Sequence, residues 1–222
     1  MDFFAAVKGR LIVSCQALSD EPLHSPFIMG RMALAAKMGG ASAIRAQSNA
    51  DIREIQKVTG LPVIGLVKQN YEDSPVYITP TMAEVEDLLT AGCEMIALDM
   101  TGRPRPAGEK AETLVARIHE AGRLVLADIS TYEEGVAAAK LNADAISTTL
   151  SGYTPYSPQL SGPDVDLVER LSRSLSVPVF AEGRINVPED IDRVMKAGAF
   201  APIVGSAITR PQIITARFAE RL

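Results

Sequence analysis

Eight short apolar runs, separated by segments of helical periodicity, constrain the fold of this 222-residue chain more than any other feature of its sequence. The apolar runs predict strands, because they are short, rich in β-branched residues and bounded by turn residues. They lie at Leu11–Gln16, Ala41–Ala46, Pro62–Lys68, Met95–Met100, Arg123–Ile129, Ala143–Thr149, Val177–Glu182 and Ala201–Ile208. The helical segments are Gly30–Met38, Asn49–Val58, Thr81–Ala91, Glu109–Ala121, Thr131–Leu141, Pro163–Ser174, Pro188–Ala197 and Pro211–Leu222.

The strand-like runs are apolar along almost their whole length, which is typical of strands buried on both faces of a parallel sheet. Eight such strands, each followed by a helix, predict an α/β protein that forms a (β/α)8 TIM barrel. A doubly wound open sheet is the alternative, since the alternation of strands and helices does not distinguish the two. No linker or change of composition divides the chain, so we expect a single domain over residues 1–222.

The composition argues against several classes of function. Apolar residues make up 47% of the chain, enough for a large core, and a net charge of −5 without a basic block argues against nucleic-acid binding. No apolar run reaches the ~18 residues of a membrane span, and residues 1–4 lack the basic start of a signal peptide. With two separated cysteines and two separated histidines, a zinc site and a histidine-based triad are disfavoured, and a cytoplasmic location is expected.

Polar residues or glycine turns stand at the carboxyl end of nearly every predicted strand, after interiors that are almost wholly apolar. They are Gln16, Arg45, Lys68, Asp99, Asp128, Thr148-Thr149, Glu182 and Gly205-Ser206. The carboxyl ends of all the strands of a (β/α)8 barrel lie on one face, where the active site is built, so these residues are expected to converge. Capping or a salt bridge explains a single charged strand end such as Asp99. Six or more polar strand ends that converge on one rim are hard to explain in that way.

Lys68 and Glu182 are the strongest candidates for proton transfer among these residues. Lys68 follows the apolar run Val63–Val67, and desolvation lowers the pKa of a lysine, so a neutral amine base becomes available near pH 7. Glu182 ends the seventh strand, and a lysine and a carboxyl group on opposite sides of a ligand suit proton removal and return beside a carbonyl. A plain Lys68–Glu182 ion pair is the structural alternative.

Two glycine-containing turns predict a phosphate site. Gly183-Arg184 follows the seventh strand and Gly205-Ser206 follows the eighth, and barrels of this kind often bind phosphate through backbone N–H groups at these positions. Arg210, immediately before Pro211, adds a guanidinium with a fork of hydrogen-bond donors. Either turn alone is weak evidence, whereas the pair after the last two strands is more specific.

Three motifs are more specific than the barrel pattern. They are Tyr77-Ile78-Thr79-Pro80-Thr81, Gly152-Tyr153-Thr154 and Ala207-Ile208-Thr209-Arg210-Pro211. With them, and with shorter matches at Ser14–Leu18, Ile64–Lys68, Ala127–Thr131 and Ala181–Asn186, the chain resembles bacterial N-acetylmannosamine-6-phosphate 2-epimerases from about residue 10 to its end.

The resemblance implies an isomerase of amino-sugar (sialic acid) catabolism. Such an enzyme interconverts N-acetylmannosamine 6-phosphate and N-acetylglucosamine 6-phosphate by removing and returning the proton at C2. The resemblance implies no metal and no organic cofactor. It assigns proton transfer to Lys68 and Glu182, sugar contacts to Gln16, Arg45 and Asp128, and phosphate contacts to Gly183, Arg184, Gly205, Ser206 and Arg210.

Two other functions stay open at this point. Another phosphosugar isomerase or a lyase fits the same barrel, because a fold does not determine a function. A phosphosugar-binding protein without activity is the second alternative, although binding alone does not require Lys68 opposite Glu182. A homodimer is also left open, since the C-terminal helix Gln212–Leu222 either caps the barrel or meets a partner chain.

Overall fold

The computed structural model describes residues 2–222, in which eight parallel strands form a closed barrel in chain order. The strands are β1 (Ile12–Cys15), β2 (Ala43–Gln47), β3 (Val63–Leu66), β4 (Met95–Asp99), β5 (Leu124–Asp128), β6 (Ala145–Ser147), β7 (Val179–Glu182) and β8 (Ala201–Val204). Each strand pairs with the next, and β8 closes on β1 with Ile203 opposite Ile12. The predicted barrel is therefore confirmed, and the open sheet is wrong.

Helices surround the barrel; each of the eight predicted helices is present, and two short helices, the first and the ninth below, were not predicted. They are α1 (Phe3–Val7), α2 (Pro26–Met38), α3 (Asn49–Thr59), α4 (Met82–Ala91), α5 (Ala111–Glu120), α6 (Tyr132–Lys140), α7 (Val165–Ser174), α8 (Pro188–Lys196), α9 (Ser206–Thr209) and α10 (Pro211–Ala219). Thr81 and Thr131 each begin a helix with a capping box, which satisfies backbone N–H groups at the helix start. Across residues 2–222, none of the helices has the length and apolar character needed to cross a membrane.

Helix α1 was not predicted, and it closes the amino-terminal end of the barrel. Its residues Phe3 and Val7 are buried in the same cluster as the barrel interior. The Gly9 backbone N–H donates to the Phe200 carbonyl at 2.8 Å, and the Phe4 and Phe200 rings meet edge to face. A five-residue helix is too short to show a helical period, so this element depends on tertiary contacts.

The last strand is shorter than predicted. We expected a strand over Ala201–Ile208, but β8 ends at Val204 and α9 begins at Ser206. The Gly205 backbone leaves the extended conformation, and its carbonyl accepts hydrogen bonds from Ile208 and Thr209. Ala207 and Ile208 prolonged the apolar run in the sequence, which concealed the turn after the strand.

Alternate residues of each strand point into the barrel, and this alternation builds the site. The interior is filled by Ile12, Ala43, Ile64, Leu66, Met95, Ala97, Leu126, Ala145, Phe180, Ala201 and Ile203. The next inward positions toward the carboxyl ends are polar: Ser14, Arg45, Lys68, Asp99, Asp128, Ser147 and Glu182. An apolar core therefore supports a polar layer at one end of the barrel.

Gly65→Ala is expected to lower the free energy of unfolding by about 1–3 kcal/mol, because added atoms in a packed core force neighbours to move. A Cβ at Gly65 would lie 2.6 Å from the Cys93 sulfur and 2.9 Å from Ile52 Cδ1. Urea unfolding of both proteins measures the difference. Gly39→Ala is the control, since its Cβ would meet only ordinary contacts from 3.4 Å. Equal stability of the two variants would contradict the packing argument.

Candidate active site

A cavity of about 400 Å³ opens at the carboxyl ends of the strands. All the predicted site residues line it except Asp128; they are Gln16, Arg45, Lys68, Glu182, Gly183, Arg184, Gly205, Ser206 and Arg210. Asp128 is fully buried and is connected to the cavity through Arg45. The structure therefore places the proton-transfer candidates and both glycine turns around one space.

Arg45 joins the two buried carboxylates of the site. We expected Arg45 at the carboxyl end of a strand, but it lies inside β2, two residues before the strand ends. Its side chain is 1% exposed. Its guanidinium donates to both carboxylate oxygens of Asp128, at 3.0 and 2.6 Å, and also to Glu182. Burial alone would lower the pKa of Arg45, but the Asp128 and Glu182 carboxylates outweigh it and raise the pKa above its ordinary value. Arg45 is therefore a permanent cation that orients Glu182.

Glu182 is fixed from both its side chain and its backbone. The Thr149 hydroxyl lies 2.9 Å from its carboxylate and 2.6 Å from that of Asp128. The Thr148 hydroxyl donates to the Glu182 carbonyl and accepts from the Glu182 N–H. Desolvation raises the pKa of Glu182, although Arg45 opposes the effect. A carboxyl group whose pKa is raised toward neutrality can both give and take a proton.

Lys68 lies just beyond β3, where its backbone forms a bridge with Ile78. Burial is the main cause that lowers its pKa to about 8, and the positive charges of Arg45 and Arg210 add to it. The lowered pKa agrees with the prediction from the apolar strand. Among residues 2–222, Glu182 forms its ion pair with Arg45. The plain Lys68–Glu182 ion pair therefore does not form.

The turn after β7 has an unusual backbone conformation. Gly183 and Arg184 both adopt positive φ angles, of 103° and 54°, so the chain leaves the extended conformation directly after Glu182. The Arg184 guanidinium donates to the carbonyls of Gly162 at 3.0 Å and Ser151 at 2.6 Å. Arg184 therefore lines the cavity, and its side chain connects the turn to the 150–162 loop.

Arg210 lines the cavity at the start of α10, with Glu21 beside it. Its Nη2 donates to the Glu21 carboxylate at 2.9 Å. Glu21 also accepts from the Leu18 N–H, so its carboxylate is fixed by the loop after β1. This ion pair keeps the guanidinium at the mouth of the cavity, close to the turn that follows β8.

Several cavity residues were not identified from the sequence. Tyr77 and Tyr153 stand in family motifs, but the motifs do not show that both rings line the cavity. Burial raises the pKa of Tyr77 to about 12, so its hydroxyl remains a hydrogen-bond donor. Arg217 reaches the cavity from α10 and donates to the Asn186 side chain at 2.7 Å. No sequence pattern indicated Arg217.

Asp99 confirms the capping explanation given for a single charged strand end. Its carboxylate accepts from the backbone and hydroxyl of Thr101, at 3.0 and 2.7 Å, and from Arg103 at 2.6 Å. These bonds organise the loop after β4. Asp99 is therefore part of the framework beside the cavity.

Comparison with known proteins gives a consistent result. Residues 29–222 match a protein-family model described as "Putative N-acetylmannosamine-6-phosphate epimerase". A "Putative N-acetylmannosamine-6-phosphate 2-epimerase" of Clostridium perfringens (strain ATCC 13124) is 62% identical over 216 residues, 97% of this chain and 98% of that protein. One from Caldanaerobacter subterraneus is 54% identical over 220 residues, 98% of this chain and 93% of that protein.

Solved structures agree with the sequence comparison. The structure of the N-acetylmannosamine-6-phosphate 2-epimerase from Clostridium perfringens matches with a TM-score of 0.99 at 59% identity, covering 100% of this chain and 97% of that one. A thiamine phosphate pyrophosphorylase from Pyrococcus furiosus matches 98% of this chain and 96% of its own with a TM-score of 0.63 at 19% identity, which shows the fold alone.

The closed barrel and the ionisable groups at the carboxyl ends of its strands define a (β/α)8-barrel enzyme. The family model covers most of the chain, and the relatives match nearly its full length. The chain belongs to the N-acetylmannosamine-6-phosphate 2-epimerase family.

Proposed function

We propose that this protein interconverts N-acetylmannosamine 6-phosphate and N-acetylglucosamine 6-phosphate. The observation that carries the proposal is the presence of Lys68 and Glu182 in one cavity. They lie at the ends of β3 and β7, which are on opposite sides of the closed strand order. Two proton-transfer groups on opposite sides of a bound sugar are what inversion of a C–H centre requires.

The substrate chemistry explains why charge is needed around these two groups. In the open-chain sugar, C2 is adjacent to the C1 aldehyde, so its proton can be removed to give an enolate-like intermediate. That proton is weakly acidic, and the intermediate must be stabilised by nearby charge or hydrogen bonds. Arg45 and protonated Lys68 are positive groups that line the cavity. In the proposal, Lys68 and Glu182 move the proton, and Arg45 stabilises negative charge.

Gln16 is assigned to sugar recognition. Its side-chain N–H donates to Ser14 at 2.7 Å, and its buried amide oxygen has no hydrogen-bond partner among residues 2–222. A buried acceptor without a partner is costly unless a ligand satisfies it. A sugar hydroxyl or the acetamido N–H supplies the missing donor. Asp128 acts through Arg45, whose guanidinium it holds with two hydrogen bonds.

The phosphate is assigned to the turns after β7 and β8, with Arg210 beside them. Arg210→Ala is expected to raise KM by roughly 10–100-fold, because a hydrogen bond to a charged group contributes about 1.5–3 kcal/mol. Steady-state kinetics with the phosphorylated sugar measure the effect. Arg117→Ala is the control, since Arg117 pairs with Glu86 on the surface. A fall in kcat alone, with the phosphate requirement intact, would disprove the assignment.

Proton NMR in D₂O tests the proposed function. With N-acetylmannosamine 6-phosphate as substrate, we expect both formation of the second epimer and deuterium at C2. Turnover of a different sugar phosphate in its place would indicate another isomerase or a lyase on this barrel. Tight binding without exchange at C2 would indicate a binding protein.

The proposal extends to the location and assembly of the protein. A phosphorylated sugar does not cross membranes unaided, so the proposed substrate is consistent with a cytoplasmic enzyme. Helix α10 has no buried residue in the single chain, which leaves a surface for the homodimer considered from the sequence. Cell fractionation and sedimentation of the purified protein test these two points.

A further inference from the structure

Arg105 is a buried arginine that binds backbone carbonyls. It follows β4 and is only 8% exposed. Its guanidinium donates to the carbonyls of Thr79 at 3.2 Å and Pro80 at 2.9 Å, and to that of Asp99. None of the ion pairs formed within residues 2–222 includes Arg105; the Asp99 carboxylate is bonded to Arg103 instead. Burying a cation without a carboxylate partner is costly, so this arrangement calls for an explanation.

Two of the carbonyls that Arg105 holds, those of Thr79 and Pro80, belong to the segment Tyr77–Pro80, which supports Lys68. This segment runs antiparallel to residues 67–69, with Ile78 opposite Lys68. The Gln69 N–H donates to the Tyr77 carbonyl at 3.0 Å, on one side of Lys68. On the other side, the Thr79 N–H donates to the Val67 carbonyl at 2.7 Å. The backbone of Lys68 is therefore held between two hydrogen bonds from this segment.

The Tyr77–Pro80 segment requires support from outside. Thr79 has a φ of 45°, a conformation that is strained for a β-branched residue and persists only where the surroundings impose it. The Thr79 hydroxyl also accepts from the Val67 N–H at 3.3 Å. From the other side, the Asp99 N–H donates to the Ile78 carbonyl at 3.1 Å. Arg105 thus connects β4 to the strained part of the segment.

Arg105 is itself held in a restricted backbone. Pro104 precedes it and Pro106 follows it. A proline fixes its own φ and restricts the residue before it to extended conformations. Arg105 accordingly has an extended backbone, with φ −80° and ψ 158°. The guanidinium therefore extends from a backbone with few alternative conformations.

We infer that Arg105 is a positioning residue for Lys68. It touches no reacting atom; it fixes the Tyr77–Pro80 segment, and that segment fixes the backbone from which the Lys68 side chain enters the cavity. Tyr77 and Ile78 line the same cavity, so loss of Arg105 also opens the wall beside the amine. The inference rests on the proposed function, because it assigns Lys68 a role in proton transfer.

The inference predicts a specific change in the titration of Lys68. The charged groups that act on its amine are Arg45, Arg210, Glu182 and Glu21, and burial is the largest cause of its lowered pKa. Arg105 is not among those charges, so its removal acts by admitting water. Hydration moves the Lys68 pKa upward from about 8 toward its ordinary value of 10.5.

The first experiment compares Arg105→Gln with Arg105→Lys and with Arg117→Gln, a surface control. For Arg105→Gln we expect kcat to fall by roughly 10–100-fold, because misplacement by about 1 Å can cost that much. KM should change by less than about threefold, since the proposed phosphate turns are not disturbed. The rising limb of the pH–kcat profile should move to higher pH. Arg105→Lys should recover part of the loss, and Arg117→Gln should behave as the unaltered protein.

A second pair of variants tests the same segment without touching Arg105. Thr79→Ala removes the acceptor for the Val67 N–H, while Thr79→Ser retains it. We expect Thr79→Ala to lower kcat and raise the pH of the rising limb, and Thr79→Ser to keep both near normal. If Arg105→Gln does not fold, as shown by circular dichroism, Arg105→Lys decides the role of Arg105 by the same two readouts, and this pair tests whether the segment holds Lys68.

A measurement independent of turnover separates this inference from the proposed function. The rate at which an amine-selective acylating reagent labels Lys68, followed by mass spectrometry against pH, reports the Lys68 pKa directly. An unchanged labelling profile and an unchanged kcat in folded Arg105→Gln would overturn the positioning role. Normal turnover in Lys68→Ala would instead disprove the proposed role of Lys68, and the labelling profile would still decide whether Arg105 positions it.

Discussion

Lys68→Ala is expected to lower kcat by about 10²–10⁴-fold or more, since 10²–10⁴-fold is the usual contribution of a positioned proton-transfer group. The amine enters the cavity from the end of β3, and its lowered pKa of about 8 leaves a substantial neutral fraction near physiological pH. Alanine has no group that can replace it. Steady-state kinetics and C2 exchange in D₂O measure the loss together.

The control for this variant is Lys57→Ala, since Lys57 is an exposed lysine that pairs with Glu54 on the surface. It should keep full activity, and both variants should melt at similar temperatures. In the unaltered protein, the rate in the direction that uses Lys68 as the base should rise with pH through about 8, because only the deprotonated amine accepts a proton. Near-normal turnover in Lys68→Ala would show that Lys68 is not a proton carrier.

The fold was predictable because local patterns and the global architecture agree. Each strand is a short apolar run, and in a closed parallel barrel both faces of each strand are buried. The convergence of Lys68 and Glu182 was also predictable, because the barrel brings the carboxyl ends of all the strands to one face. Their residue types and positions alone were therefore sufficient to identify them as candidates.

The contacts inside the site were not predictable from local patterns. Arg45 bonds to Asp128 and Glu182, which are 83 and 137 positions away along the chain. Which carboxylate meets which cation depends on rotamers and on the tilt of the strands. The sequence left a Lys68–Glu182 ion pair open as the alternative to proton transfer. In the structure Glu182 pairs with Arg45, and Lys68 has no carboxylate partner among the described side chains.

The same limit explains Arg184 and Arg105. The sequence placed Arg184 in a phosphate turn, but the direction of its guanidinium, toward Ser151 and Gly162, depends on how the 150–162 loop folds. Arg105 stands between two prolines, a pattern that restricts its backbone. The pattern does not indicate that the side chain reaches the carbonyls of Thr79 and Pro80.

Glu182→Gln is expected to lower kcat by about 10²–10⁴-fold or more, because the amide cannot carry the proton. The substitution nearly preserves the shape of the side chain and leaves an oxygen that accepts from Arg45 and Thr149. Arg45 keeps both of its hydrogen bonds to Asp128. The fold should therefore be retained, and thermal unfolding checks this. Near-normal turnover would exclude Glu182 from the chemistry.

Glu182→Gln should also move the titration of Lys68 in the direction opposite to that expected for Arg105→Gln. The negative charge of Glu182 raises the Lys68 pKa, while burial and the neighbouring arginines lower it. Removing that charge leaves Glu21 as the remaining negative group that opposes the lowering causes, so the Lys68 pKa should fall below about 8. The pH dependence of Lys68 labelling measures the shift. A shift to higher pH would show that the substitution admits water to the amine.

The isotope pattern distinguishes two proton carriers from one. If Lys68 and Glu182 serve opposite faces of C2, each variant keeps the group for one face and loses the group for the other. Lys68→Ala and Glu182→Gln should then each exchange the C2 proton of one epimer with D₂O without completing the inversion, and the epimer should differ between them. A different result would show that Lys68 alone moves the proton: Lys68→Ala would exchange the C2 proton of neither epimer, and Glu182→Gln would exchange that of both. In that case Glu182, held by Arg45 and Thr149, would serve to tune the charge around the amine.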